Sequence, residues 1–80
     1  MTREEIRHAV LAALADVAPE ADLGRLAPDA ELRETLDLDS MDFLRVVQRI
    51  ATATGVEIPD ADAGRLATLA DCIEYLAKRA

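Results

Sequence analysis

The sequence contains few aromatic residues, with one Phe, one Tyr and no Trp among 80 residues. Since 51% of the residues are nonetheless hydrophobic, the core must be built from Ala, Leu, Val and Ile. Ala and Leu have high helix propensities, so this composition favours helices over strands. Eighty residues are enough for one domain, which we expect to span residues 1–80 and to bury about 60% of the unfolded chain's surface.

Cysteine and histidine are each present once. The single Cys72 excludes an internal disulfide and a thiolate metal cluster, and its place in a helical apolar pattern predicts a buried hydrophobic residue. His8 has no nucleophile or second metal ligand near it in the sequence, so we interpret it as a solvated or half-buried side chain. We therefore predict no metal site and no histidine-based catalysis.

Basic residues and long apolar runs are also scarce. Nine basic residues against sixteen acidic ones give a net charge of −7, which argues against nucleic-acid binding and favours partners with basic patches. No apolar run approaches the roughly 18 residues of a membrane span. The first five residues lack the basic-then-apolar order of a signal peptide. We expect a monomeric, cytoplasmic protein.

The apolar spacing predicts a helix at each end of the chain. Thr2 and Glu5 fit a capping box, so the first helix should begin at about Arg3 and end before Pro19. Thr68 is expected to cap the last helix. The apolar face of that helix follows helical spacing and consists of Leu69, Cys72, Ile73 and Leu76. Lys78 and Arg79 are placed in the final turn of that helix, where cations suit its dipole.

Between these ends the pattern predicts a long loop, a second long helix and a short third one. Residues 18–39 form the loop, which carries five leucines and is expected to be ordered, with a short helical turn within residues 29–34. The second long helix runs from about Ser40 to Thr54 and ends at Gly55. Asp60 is expected to cap a short helix that reaches about Gly64 or Leu66. The predicted fold is all-α, a small four-helix bundle with three long helices.

Ser40 is the only serine, and it stands among acids at the predicted start of the second long helix. Either Asp39 or Ser40 can cap this helix, so helix capping is one interpretation of the serine. Four further residues project beside the buried stripe of the helix, and they are Met41, Leu44, Arg45 and Gln48. Packing does not require them, which suggests a surface that a partner covers, with the hydroxyl at its centre.

The stretch Leu38-Asp39-Ser40-Met41-Asp42-Phe43-Leu44 resembles the attachment site of acyl carrier proteins, whose usual form is Asp-Ser-Leu followed by an acid and apolar residues. Residues 56–63 and 66–76 also resemble the second half of that family. The similarity covers the whole chain and is most specific from Leu36 to Leu76.

The resemblance implies that Ser40, next to Asp39, receives 4'-phosphopantetheine from a separate phosphopantetheinyl transferase in a magnesium-dependent step. The terminal thiol of this arm would carry acyl groups as thioesters between enzymes of fatty-acid, polyketide or related biosynthesis. The protein itself would be a stand-alone, non-catalytic carrier. The implied recognition face for enzymes with basic patches consists of Asp37, Asp39, Met41, Asp42, Leu44, Arg45 and Gln48. Family members can also shelter an acyl chain between their helices. The apolar residues that would line such a space here are Phe43, Val47, Ile50, Ile58, Leu69 and Ile73, and the alternative is that they only form the core.

Three features of the sequence bear on which partners and which cargo are expected. Asp37 stands where a glycine is common, and Arg45 where fatty-acid carriers usually have an acid, so a dedicated set of partners is expected. The paired glycines often found before the serine of peptidyl carriers are absent, which favours acyl over aminoacyl cargo. The alternatives are an aminoacyl or peptidyl carrier, an unmodified acidic helical adaptor that binds a protein through Met41 and Leu44, and a small hydrolase that uses Ser40.

Overall fold

The structure is a computed structural model that describes all residues 1–80. It contains four α-helices, a 3-10 helix in each of the two longer connections, and no strands. The elements in chain order are α1 (Arg3–Val17), a 3-10 helix (Leu23–Arg25), α2 (Leu32–Thr35), α3 (Ser40–Thr54), a second 3-10 helix (Asp60–Arg65) and α4 (Leu69–Ala77). The predicted all-α bundle is confirmed, and no helix is both long and apolar enough to cross a membrane.

The helix ends follow from local side-chain chemistry. Thr2 and Glu5 form the predicted capping box at the start of α1. Gly55 ends α3 in the left-handed conformation, with φ 71°, which a residue without a Cβ adopts at little cost. At α4 the Thr68 side chain accepts a hydrogen bond from the Asp71 backbone N–H. These three predicted helix ends are confirmed.

The core is formed by α1 packing against both α3 and α4. All 17 buried residues are hydrophobic, and the only buried aromatic residues are Phe43 and Tyr75. The predicted burial of Cys72 is confirmed, because its side chain is 0% exposed. His8 is exposed on α1, in agreement with the solvated interpretation. The folded chain measures 28 × 24 × 20 Å along its principal axes.

The long connection from α1 to α3 is ordered because it is bonded to the segment just before α4 and to the first turn of α4. The Leu32 N–H donates to the Ala67 carbonyl at 2.8 Å, and the Ala70 N–H donates to the Pro28 carbonyl at 2.9 Å. Leu32 and Leu38 are buried, so this segment also contributes to the core. Its leucines supply the packing that a loop of this length requires.

Three details of the sequence interpretation were wrong. Asp60 does not cap the short third helix, which is a 3-10 helix that begins directly after Pro59 and has no side-chain cap. Helix α4 ends at Ala77, so Lys78 and Arg79 lie beyond its last turn, although the Arg79 guanidinium still donates to the Tyr75 carbonyl at 2.9 Å. The turn expected within residues 29–34 is present but lies at Leu32–Thr35, so it ends one residue beyond the expected range.

Candidate functional site

Ser40 is the first residue of α3, and its hydroxyl does not cap the helix. The cap is Asp39, whose Oδ1 accepts from the Asp42 backbone N–H at 2.8 Å. Asp42 Oδ2 in turn accepts from the Asp39 backbone N–H at 3.4 Å, which completes a capping box. Of the two caps that the sequence allowed, the structure therefore has Asp39, and the hydroxyl of Ser40 projects from an exposed residue.

The turn before Ser40 has an unusual backbone conformation. Asp37 has φ 53°, and it is the only residue other than glycine with a positive φ. On either side of it, Leu36 is half-buried and Leu38 is buried, so hydrophobic packing holds both neighbours. The Leu38 N–H also donates to the Arg33 carbonyl at 2.8 Å. This turn directs the chain from α2 into α3 and places Ser40 at the surface.

Arg33 is the residue that contacts the Ser40 hydroxyl, and it was not among the predicted site residues. Its Nη2 donates a hydrogen bond of 3.1 Å to Ser40 Oγ. The same guanidinium lies over the Phe43 ring, with its carbon 5.8 Å from the ring centroid. A signal was present in the sequence, because Arg33 is the only basic residue between Leu26 and Leu44. Its contact with Ser40 depends on the short helix α2, whose position the sequence indicated only approximately.

A cavity of about 450 Å³ opens beside the Ser40 hydroxyl. We call it the Ser40 groove, and it is lined by Glu31, Arg33, Ser40, Phe43, Leu44, Ala63, Gly64 and Ala67. The small residues Ala63, Gly64 and Ala67 come from the second 3-10 helix and the segment after it. Because they carry little or no side chain, they leave room for an extended ligand next to the serine.

The predicted partner face lies on the exposed surface around the start of α3. Met41 is 70% exposed and Leu44 is 43% exposed, and besides Met1 they are the only large hydrophobic residues with such exposure. Arg45 and Gln48 are also exposed, as are Asp37 and Asp39, while Asp42 is half-buried. On α3 the helical spacing puts Met41, Leu44, Arg45 and Gln48 on one side, while Asp37 and Asp39 precede the first residue of the helix.

The charge on this face changes along the helix. Arg49 forms an ion pair with Asp16 of α1, with Nη1 3.4 Å from Oδ2, whereas Arg45 is in none of the four ion pairs of the chain. The acids at residues 37, 39 and 42 surround the serine, and an unpaired cation follows one turn later. A partner that covers this face meets negative charge near Ser40 and positive charge beyond it.

The surroundings of Ser40 do not activate it as a nucleophile. Its one hydrogen-bond partner is a guanidinium, which stays protonated in proteins and cannot accept the hydroxyl proton. No histidine or second hydroxyl bonds to Ser40, and no three His, Cys, Asp or Glu side chains are grouped to hold a metal ion. Cys72 cannot serve as the nucleophile instead, because burial raises the pKa of its thiol to about 12. The site thus presents a hydroxyl on which another protein can act.

The acyl chain that family members shelter would require space between the helices. The six residues expected to line such a space are Phe43, Val47, Ile50, Ile58, Leu69 and Ile73. Four of them are buried in the core, and Ile58 and Ile73 are half-buried against it. Among the six, only Phe43 lines the Ser40 groove.

Comparison with known proteins identifies similar sequences over nearly the whole chain. Residues 8–76 match the family model described as "Phosphopantetheine attachment site". The chain is 33% identical over 76 residues to the acyl carrier protein of Rubrobacter xylanophilus, with 95% of this chain and 93% of that protein covered. It is 35% identical over 79 residues to the acyl carrier protein of Lactobacillus johnsonii, with 95% and 94% covered. A similar protein of Thermosynechococcus vestitus is 34% identical over 79 residues, with 95% and 93% covered.

Proposed function

Because the chain belongs to the acyl carrier proteins, which share the phosphopantetheine attachment site, we propose that Ser40 is the residue that carries the arm in this protein. The observation that carries the proposal is the Ser40 hydroxyl itself, which is exposed at the first residue of α3 and is not used to cap the helix. Ser40 is also the only serine in the chain.

The residues around Ser40 fit a phosphate ester with a long arm. A guanidinium lies 3.1 Å from the Oγ atom and matches the negative charge of a phosphodiester. The first backbone N–H groups of a 15-residue helix add favourable charge on the same side. The Ser40 groove offers a path for the arm along the protein. When bound, the group supplies a terminal thiol that carries acyl groups as thioesters.

The attachment is a phosphoryl-group transfer in which Ser40 is the acceptor. Its Oγ forms a bond to the phosphorus of coenzyme A that bears the pantetheine, and the bond from that phosphorus to adenosine 3',5'-bisphosphate breaks. The hydroxyl proton passes to a base of the transferase, because Arg33 cannot accept it. The resemblance implies a magnesium-dependent step, and the ion would supply charge neutralisation for the leaving bisphosphate. The carrier contributes an accessible hydroxyl and a surface for docking.

The docking surface that we propose consists of the exposed apolar pair and the acids around Ser40. Met41 and Leu44 provide desolvated contacts, while Asp37, Asp39 and Asp42 meet cations of the transferase and of acyl-loading and acyl-processing enzymes. We propose acyl rather than aminoacyl cargo, which is supported by relatives named acyl carrier protein.

Intact-mass measurement tests the proposal directly. Incubation with coenzyme A, magnesium and a broad-specificity phosphopantetheinyl transferase should add the mass of one phosphopantetheine, and Ser40→Ala should abolish the addition. Thr52→Ala removes an exposed hydroxyl from the same helix and is the matched control, which should be modified like the wild type. An unmodified wild type, beside a carrier that the same transferase does modify, would contradict the proposal. Partner binding that survives Ser40→Ala but fails in Met41→Asp would then support the adaptor function.

A further inference from the structure

We propose that Arg33 binds the phosphate of the arm on Ser40 and thereby holds the arm toward the Ser40 groove. The inference rests on the proposed modification of Ser40. It concerns a residue outside the attachment motif, seven positions before the serine and on a different helix. Arg33 would act as a positioning residue, since it makes no bond to the acyl group that the arm carries.

The position of the guanidinium is the first argument. Arg33 Nη2 already donates to Ser40 Oγ at 3.1 Å. In a phosphate ester the non-bridging oxygens are two bonds from this Oγ, so a small rotation of the arginine side chain brings its N–H groups to them. The planar guanidinium can donate two parallel hydrogen bonds to one phosphate, which a lysine ammonium cannot.

The charge of the site is the second argument. Three aspartates lie within three residues of Ser40, and each of them repels a phosphodiester. Arg33 is the one cation in contact with the serine, and it is in none of the four ion pairs of the chain. Its guanidinium is therefore bonded to a neutral hydroxyl although carboxylates are close in sequence. A phosphate at Ser40 Oγ would give it the anionic partner that it lacks.

The third argument is that the surrounding residues hold Arg33 in place. Leu32, its neighbour in α2, is fully buried, and the Arg33 carbonyl accepts from the Leu38 N–H. The backbone of Arg33 is thus fixed relative to α3. The side chain is held over the Phe43 ring, which also lines the Ser40 groove. Because less side-chain entropy remains to be lost, a guanidinium held in this way binds an anion more readily than a free one does.

The position of Arg33 also favours one direction for the arm that leaves Ser40. Arg33 and Ser40 line the same groove as Ala63, Gly64 and Ala67, so a phosphate held by Arg33 starts the arm at the entrance of the groove. The alternative direction, outward over Met41, offers no cation in contact with the serine. Arg33 would thus favour an arm along the groove over an arm extended into solvent.

Phosphorus NMR of the modified protein tests this inference. The 31P resonance of the folded wild type should differ from that of the same protein unfolded in urea. Arg33→Ala should remove most of this difference, and Arg33→Lys, which keeps a point charge, should retain part of it. Arg25→Ala removes an exposed arginine of the preceding 3-10 helix and is the matched control, which should leave the resonance unchanged. A structural role alone would not produce the partial rescue by lysine.

A second measurement observes the arginine itself. In 1H–15N spectra the Nε–H signal of Arg33 should move when Ser40 is modified, while that of Arg25 should not. If Ser40 receives the arm but the 31P resonance is the same in the wild type and Arg33→Ala, the inference is wrong and the proposed function stands. If intact mass shows that Ser40 receives no arm, both fall together.

Discussion

The phenolic hydroxyl of Tyr75 donates a hydrogen bond of 2.6 Å to Asp62 Oδ2 and so joins α4 to the second 3-10 helix. That 3-10 helix contributes no buried residue of its own, although Ala63 and Gly64 from it line the Ser40 groove. Tyr75 is 3% exposed and belongs to the core. The Tyr75–Asp62 bond therefore connects a wall of the groove to the packed interior.

This bond predicts how Tyr75 titrates. The hydrogen bond to Asp62, followed by burial, raises the pKa of Tyr75 above the usual value of about 10. Tyr75 is the only tyrosine and there is no tryptophan, so tyrosinate absorbance reports this residue alone. We expect a titration midpoint above about 10 in the folded protein and near 10 in urea. Asp62→Asn should lower the folded midpoint, and an unchanged midpoint in that variant would contradict the assignment.

The same shift predicts a loss of stability at alkaline pH. The unfolded state releases the Tyr75 proton at lower pH than the folded state does. The contribution of Tyr75 to the free energy of unfolding is therefore complete below about pH 10 and is lost as pH rises through the folded pKa. Urea unfolding at several alkaline pH values should show a smaller fall in unfolding free energy for Tyr75→Phe than for the wild type. Cys72 titrates in both proteins and cancels in the comparison.

Much of the fold was predictable because local chemistry determines the helix ends. Thr2, Gly55 and Thr68 each act through contacts within a few residues, and the sequence places them correctly. The motif around Ser40 was recognisable for the same reason, since its residues are adjacent in the sequence. Arg33 was not, since its contact with Ser40 requires α2 and the Asp37 turn to bring two helices together. The groove likewise depends on residues more than twenty positions from the serine.

Because Asp39 and not Ser40 caps α3, the two residues should affect stability differently. Asp39 holds the start of α3, whereas the Ser40 side chain makes no capping bond. Asp39→Ala should lower the free energy of unfolding by about 1 kcal/mol, and Ser40→Ala should change it by less than about 0.5 kcal/mol. Urea denaturation followed by circular dichroism measures both. A large loss in Ser40→Ala would mean that the hydroxyl has a structural role and would weaken its use as a clean test of attachment.

The left-handed conformation of Asp37 predicts a stabilising substitution. With φ 53°, its Cβ meets the steric penalty that favours glycine at such positions. Asp37→Gly should raise the unfolding free energy by roughly 0.5 kcal/mol, because relief of strain exceeds the added entropy of the unfolded chain. Asp37→Ala is the control, since it removes the same charge and keeps the Cβ. We expect it to be about 1 kcal/mol less stable than the glycine variant, and equal stabilities would show that charge alone matters.

Because the Cys72 thiol is buried, it should not react rapidly, and any rapidly reacting thiol should belong to the arm on Ser40. The pKa of Cys72 is raised to about 12 by burial, and its Sγ donates to the Leu66 carbonyl at 3.7 Å. At about pH 8 its thiolate fraction should be on the order of a thousandfold below that of an ordinary cysteine. A disulfide reagent such as Ellman's should therefore label no thiol rapidly in the folded unmodified protein and one after modification of Ser40. Cys72→Ala should keep the rapid thiol, and its loss there would show that Cys72 was the reacting group.

Arg45 predicts which partners the carrier favours. It is exposed, it is in no ion pair, and it follows the acidic start of α3 by one turn. An enzyme with a uniformly basic docking patch meets one repulsive contact there, so Arg45→Glu should raise kcat/KM for such an enzyme by several-fold at low salt. The gain should shrink near 0.1 M salt, where the screening length is about 10 Å.

The control for this charge reversal is Lys78→Glu, which changes the net charge equally from an exposed position after α4. If the position of the charge matters, Arg45→Glu should have the larger effect, because a charge inside the contact is screened less than one far from it. An enzyme that carries an acid opposite residue 45 should respond in the opposite direction and lose kcat/KM. Steady-state kinetics with a phosphopantetheinyl transferase of known basic patch measures the gain in kcat/KM expected for Arg45→Glu. Equal gains from the two variants would mean that net charge, and not the face of α3, governs the encounter.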